Sequence, residues 1–160
     1  MESIYKNQWN YKSITLLAVL ILLPNLLGII NIPTSLGFSI HFFQIAVFLA
    51  ALIYGPWAGL LSGAIGSAYS AITMNNPYII VGNMILGFFV GYFASKKFHT
   101  LVSVALSFLI QLPWLIMSDH YFIGMPMGLV WMIVVALAVS NIIWGLMAHY
   151  TNKPLKNIIR

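Results

Sequence analysis

Residues 56–97 read PWAGLLSGAIGSAYSAITMNNPYIIVGNMILGFFVGYFASKK. Two apolar runs, Pro56–Met74 and Pro77–Ser95, meet at Asn75–Asn76 and end on Lys96 and Lys97. Each run has about the 20 mostly apolar residues a helix needs to cross the ~30 Å hydrocarbon core of a bilayer. Pro56 and Pro77 fall where a first helical turn tolerates a missing N–H, and Asn76 is suited to an N-cap. This is the pattern of paired membrane helices.

Working outward, polar clusters, prolines and charges delimit four more such stretches. They are Ser13–Ile30 and Ser39–Tyr54 upstream, and Thr100–Met117 and Met125–Tyr150 downstream. The expectation is an all-α membrane protein, one compact six-helix bundle over residues 1–160. The second stretch is short and the last long, so tilt or local thinning of the bilayer is expected. Pro24 and Pro113 fall inside stretches and predict kinks. Pro33 lies in the Asn31–Phe38 connection and Pro154 in the tail.

Composition agrees. Of 160 residues, 61% are hydrophobic and 6% charged, against roughly 45–50% and about 25% in soluble domains. A cytosolic enzyme, a nucleic-acid-binding domain and a disordered chain are thereby excluded. The net charge of +5 comes from seven basic residues scattered at helix ends, not from a basic patch. No cysteine is present, so disulfides, thiol nucleophiles and Cys-ligated metals are absent. The first apolar run has no small-residue cleavage site and further spans follow, so it reads as a retained helix.

The cations also set the topology. Lys6 and Lys12 precede the first stretch, Lys96 and Lys97 follow the fourth, and Lys153, Lys156 and Arg160 follow the sixth. With both termini cytoplasmic, all seven lie on the inner side, as the positive-inside rule demands. The opposite face carries Asn31–Phe38, Asn75–Asn76 and Ser118–Gly124.

Small residues crowd the third stretch. Ala58, Gly59, Gly63, Ala64, Ser67 and Ala71 form one small face, and Gly87/Gly91 repeat the spacing on the fourth. Such faces let helix backbones approach closely in lipid. The pattern suits tight packing inside this bundle first, and a docking face for another membrane subunit second.

Polar side chains at bilayer depth are costly and usually face a cavity. Asn25, His41, Gln44, Asn83, Gln111, Trp114, Asp119, His120 and Trp131 all fall in the outer half. The inner half offers chiefly Ser140, Asn141 and Trp144. The expectation is a chamber open outward over a drier inner half, which favours capture over a continuous channel. Several of these residues also have bland roles: Trp57, Tyr78, Trp114 and Tyr121 as interfacial aromatics, Asn83 and Gln111 as helix glue, and His41 as a backbone partner. Glu2 and Asp119 are the only acids, so paired-carboxylate catalysis is not available. No phosphate-cradling loop is present either. His41, Asp119 and His120 have metal-ligating side chains, but their arrangement gives little support for a site, and no metal or cofactor is assigned.

HFFQIAVFLAALIYGPWAGLLSGAIGSAYSAI (41–72) followed by NNPYIIVGNMILGFFVGYFASKK (75–97) resembles the substrate-binding S-components of energy-coupling factor (ECF) transporters. The resemblance implies a six-helix bundle that captures a vitamin, vitamin precursor or similar micronutrient at its outer face. It implies as partners a transmembrane coupling subunit and two cytoplasmic ATPases, in a prokaryotic plasma membrane, with no nucleic acid. It also strengthens the docking role of the Ala58–Ala71 face. The alanine-x-x-x-alanine pair common on the family's first helix is replaced here by Ala18 and Leu22, and Glu2 argues against the nickel and cobalt branch.

The outer half holds no Lys or Arg, so a strongly anionic cargo would meet no counter-charge. A small neutral or cationic planar heterocycle fits best, stacked on Trp114 or Trp131 and read by amides. Two other classes remain open at this level: a ligand-free assembly protein, and a self-sufficient homodimeric facilitator.

Overall fold

An apolar helix with no polar face must be wrapped by protein or lipid on every side. Gln44–Tyr54 (α2) is wrapped by protein: every residue from Ala46 to Ile53 is buried. Around it stand Leu20 of α1, Leu86 and Val90 of α5, Val104 and Phe108 of α6, and Val130, Val134 and Trp144 of α7. The computed structural model describes residues 10–33 and 39–159. Its helices are α1 (Tyr11–Leu27), α2, α3 (Pro56–Gly66), α4 (Ala68–Thr73), α5 (Tyr78–Ser95), α6 (Thr100–Ile116) and α7 (Met127–Ile159). A π-helical turn, Met117–Phe122, continues α6. Two short strands, β1 (Asn31–Pro33) and β2 (Ser39–His41), pair antiparallel between α1 and α2.

Counting α3 and α4 as one broken rod, six helical rods result. Three of them, Tyr78–Ser95, Thr100–Phe122 and Met127–Ile159, are long and apolar enough to cross a membrane. Several expected boundaries move. The stretch predicted as Ser39–Tyr54 contributes only 11 helical residues, because β2 takes its start. At that length an apolar helix acts as a buried core element. The stretch predicted as Pro56–Met74 breaks at Ser67. Ser118–Gly124, expected as a loop, is helical through Phe122. Pro154 sits inside α7, not in a tail.

Glycines fix how closely the rods approach. Gly55, at φ 96°, adopts a backbone conformation that side chains disfavour and turns α2 directly into α3. A methyl group at Gly59 would overlap the Gly87 carbonyl, and one at Gly63 the Asn83 carbonyl. Gly91 sits equally tightly against Gly55 and Pro56. The α3 and α5 backbones therefore touch along their length.

The ends of the bundle are closed by hydrogen bonds. Asn10 caps α1 by accepting from the Ser13 N–H (2.8 Å), and its Nδ2 donates to the Ile159 carbonyl at the end of α7 (2.9 Å). Tyr54 Oη donates to the Ser13 carbonyl (2.7 Å). Lys12, Lys96, Lys97, Lys153 and Lys156 thus gather at this one end, at the start of α1 and the ends of α5 and α7.

Replacing Gly87 with alanine is expected to cost about 2 kcal/mol by overpacking backbone on backbone. Gly128→Ala, with open space around it, should be neutral or slightly stabilising. Thermal unfolding of the detergent-purified variants checks the pair. Equal melting temperatures would refute the close-contact account.

Candidate functional site

At the end of the bundle away from the lysines, the rods leave a cavity of about 490 Å³. Its walls come from the first turns of α5, the last turns of α6, the π turn, α7 and the α4–α5 connection, with Phe43 beneath. Most of the lining is apolar: Met74, Ile79, Leu115, Met125, Leu129, Met132, Ile133, Ala136 and Leu137. The polar groups are few: Ser70, Asn76, Tyr78, Asn83, Gln111, Trp114, Ser118 and Asp119.

The π turn places the acid. Its wider winding keeps consecutive residues Ser118 and Asp119 both buried against the cavity. Such turns inside helices are frequent at functional sites. Asn76, 2% exposed, donates from Nδ2 to Asp119 Oδ1 (2.9 Å), and its own Oδ1 accepts from the Tyr78 N–H (3.1 Å). One amide therefore caps α5, as the Asn–Pro pair suggested, and also holds the carboxylate. The segment after the π turn folds back over it: the Met125 N–H donates to the Asp119 carbonyl (2.9 Å), and His120 Nδ1 lies 2.8 Å from the Met125 carbonyl.

An aromatic wall stands beside this polar corner. Tyr78 lies 5.0 Å from Phe122 and 6.4 Å from Trp114 between ring centroids, with Trp114 6.4 Å from Phe122. Trp114 is fixed because its Nε1–H donates to the Tyr78 carbonyl (3.1 Å). Gln111, one turn earlier on α6, is buried with Oε1 unpartnered.

Of the residues expected at the site, Asn83, Gln111, Trp114 and Asp119 come together on this cavity. The others go elsewhere, each for a visible reason. Asn25 bridges α1 to the break between α3 and α4, donating to the Ile65 carbonyl (2.7 Å) and accepting from the Tyr69 N–H (2.9 Å). It satisfies backbone groups that the break at Ser67 leaves open. Trp131 is 51% exposed. The lining positions of α7 are Leu129, Met132, Ile133, Ala136 and Leu137, and at 100° per residue Trp131 falls on another side. His120 is used in fastening the Met125 turn. Gln44 is buried in α2 beside the lining Phe43, with Oε1 unpartnered. The His41 side chain and the 34–38 connection lie outside the described residues.

Asn76, Tyr78, Ser70 and Ser118 were not anticipated as lining. A polar residue before a helix-starting proline was the available signal for Asn76. Nothing in the sequence singles out the apolar lining from other membrane-helix residues.

The small face of α3 is occupied within the chain. Gly59 and Gly63 face α5, Ala58, Ser67 and Ala71 are buried, and Ala64 is half-buried. Ser62 Oγ donates to the Leu20 carbonyl on α1 (2.7 Å).

Below the cavity floor lies a second polar group of residues. On α7, Asn141 follows Leu137 by one turn and precedes Trp144. Both amide atoms of Asn141 and the Trp144 Nε1 are buried and unpartnered among the described residues. Trp144 packs on Phe42 at 4.7 Å.

Long apolar helices around a ligand-sized, largely apolar chamber with convergent polar groups define a membrane protein built to hold a small molecule. The chain belongs to the family of ECF-type riboflavin transporter S components, whose family model matches residues 8–159. It is therefore an integral membrane protein and a component of a transporter. No curated protein and no solved structure matches the chain.

An unpaired buried amide costs about 1–3 kcal/mol, and an apolar side chain of similar shape removes that cost. Asn141→Leu is therefore expected to melt at the same temperature as the parent or higher. A fall of several degrees would show that Asn141 is bonded in the membrane.

Proposed function

We propose that this chain is the capture subunit of an ATP-driven importer and that its chamber takes a planar, unphosphorylated heteroaromatic vitamin, riboflavin foremost. The observation that carries this is the chamber's division into an apolar, aromatic-walled body and a single polar corner around Asn76 and Asp119. Riboflavin, which the family name specifies, has the matching division. Its ring system is apolar at the dimethylbenzene end and polar at the pyrimidinedione edge, and it carries no charge. The volume of about 490 Å³ lies within the range of small-molecule sites.

The six rods are taken to cross the bilayer with both termini cytoplasmic, because the lysine end then meets the positive-inside rule. The chamber then opens outward, and the membrane is a prokaryotic plasma membrane. Cargo held there has no polar route inward past Leu137, so release requires the helices to shift. The energy is supplied by two ATPases acting through a transmembrane coupling subunit, since the sequence contains no phosphate-cradling loop of its own. The residues Ala58, Gly59, Gly63, Ala64, Ser67 and Ala71 serve that partner by holding α3 against α5 as one rigid platform. Their own surfaces are largely covered.

Flavin fluorescence quenching with the purified chain tests the cargo. Riboflavin should bind, and Trp114→Ala should weaken it by about tenfold or more through loss of the aromatic wall. Flavin mononucleotide should bind at least about 30-fold more weakly, its phosphate finding no cation at this end of the chain. Equal binding of the two flavins would contradict the charge argument, and no binding of either would remove flavin as cargo. Uptake into proteoliposomes should require the coupling subunit, ATPases and ATP; uptake by the chain alone would mark a facilitator instead.

A further inference from the structure

The hydrogen bonds at the polar corner show which partner atoms the chamber lacks. The Trp114 Nε1–H is engaged by the Tyr78 carbonyl, and one Asn76 N–H by Asp119 Oδ1. The single Ser118 hydroxyl proton is directed to the Leu115 carbonyl (3.2 Å) or to Asp119. On the acceptor side, a carboxylate offers about four lone-pair positions, and Asn76 with Ser118 fills at most two of them. Gln111 Oε1 is buried and has no partner among the described residues. No Lys or Arg occurs between Lys12 and Lys96 or between Lys97 and Lys153, so the sequence supplies no cation to this end. A carboxylate 7% exposed with only these two donors, Asn76 and Ser118, among the described residues is costly. The π turn nevertheless holds it against the chamber.

We infer that the cargo supplies the missing donor: a ring N–H of a planar heteroaromatic is received by Asp119, with the Asn83 and Gln111 amides lining the same chamber about two turns away. This rests on the chamber being the cargo site of the proposed function and adds what that function does not specify, the atom by which the cargo is recognised. A ring N–H gives its hydrogen to the carboxylate. A fully substituted nitrogen at that position, or an anionic group, offers Asp119 nothing and leaves its oxygen desolvated and unpaired.

The test compares riboflavin with 3-methylriboflavin, which differ only by N–H against N–CH₃ at the pyrimidinedione edge. On the wild-type chain, methylation should weaken binding by about 30-fold, the scale of a hydrogen bond to a charged acceptor. Asp119→Asn can keep the Asn76 contact through its carbonyl oxygen while presenting an N–H where the second oxygen stood. It should weaken riboflavin by a similar factor and change 3-methylriboflavin by less than about threefold. Equal wild-type affinity for the two flavins would overturn this inference while leaving flavin as cargo. Failure of both to bind would sink flavin as cargo and this inference with it. Should Asp119→Asn not fold, the wild-type comparison alone decides.

Discussion

Where α3 crosses α5, backbone meets backbone, and the rest of the molecule is arranged around that contact. Gly59 against Gly87, Gly63 against the Asn83 carbonyl, and Gly91 against Gly55 and Pro56 leave no room for a single methyl group. In lipid, expulsion of water contributes little to helix association, so such close approach is how two apolar rods hold together. The contact also seats α2, since Ala51 packs on Gly59 and Val47 on Gly87. The first turns of α5 and the connection before it carry Asn76, Tyr78, Gly82 and Asn83 to the chamber wall.

The lining illustrates how a chamber can be kept open between membrane helices. Gly82 faces Gln111 and Trp114 across it, where a methyl would come within 3.3 Å of the Gln111 amide nitrogen. Trp114 cannot swing into the space because its indole N–H is held by the Tyr78 carbonyl. Asp119 cannot retreat into a helix groove because the π turn and the Asn76 amide fix it. Each restraint ties α5 to α6 near the same depth, so the polar corner is preorganised rather than assembled from mobile loops.

Much of this was legible in the sequence, in a way that follows from bilayer physics. Apolar length and the position of prolines and lysines report where helices start and stop, so the rods were visible. Asn83, Gln111, Trp114 and Asp119, which line the chamber, stood out because a polar group at bilayer depth needs a reason. The same rule misplaced Asn25 and Trp131, because depth gives no information about azimuth. Asn25 answers backbone groups opened by the break at Ser67, and that break carries no proline to announce it. The shortness of α2 was also hidden: a fully wrapped helix and a lipid-facing one have the same composition. The small face of α3 showed the opposite ambiguity, since close packing within a chain and docking between chains require the same residues.

On the proposed function, inward release requires the lower half of the bundle to open. Below Leu137 the bundle is closed by Phe108, Val104 and the α2 core, all buried. Asn141 and Trp144 lie within this closed region, with polar atoms unpartnered among the described residues. A state that holds cargo above this floor persists, on the proposed function, only while α2 and α7 stay together. Parting them exposes the apolar faces of both helices, and the chain has no nucleotide-binding loop with which to drive that step. On the proposed function, that work enters through a partner subunit. The glycine-locked α3–α5 pair is stiff enough to transmit it.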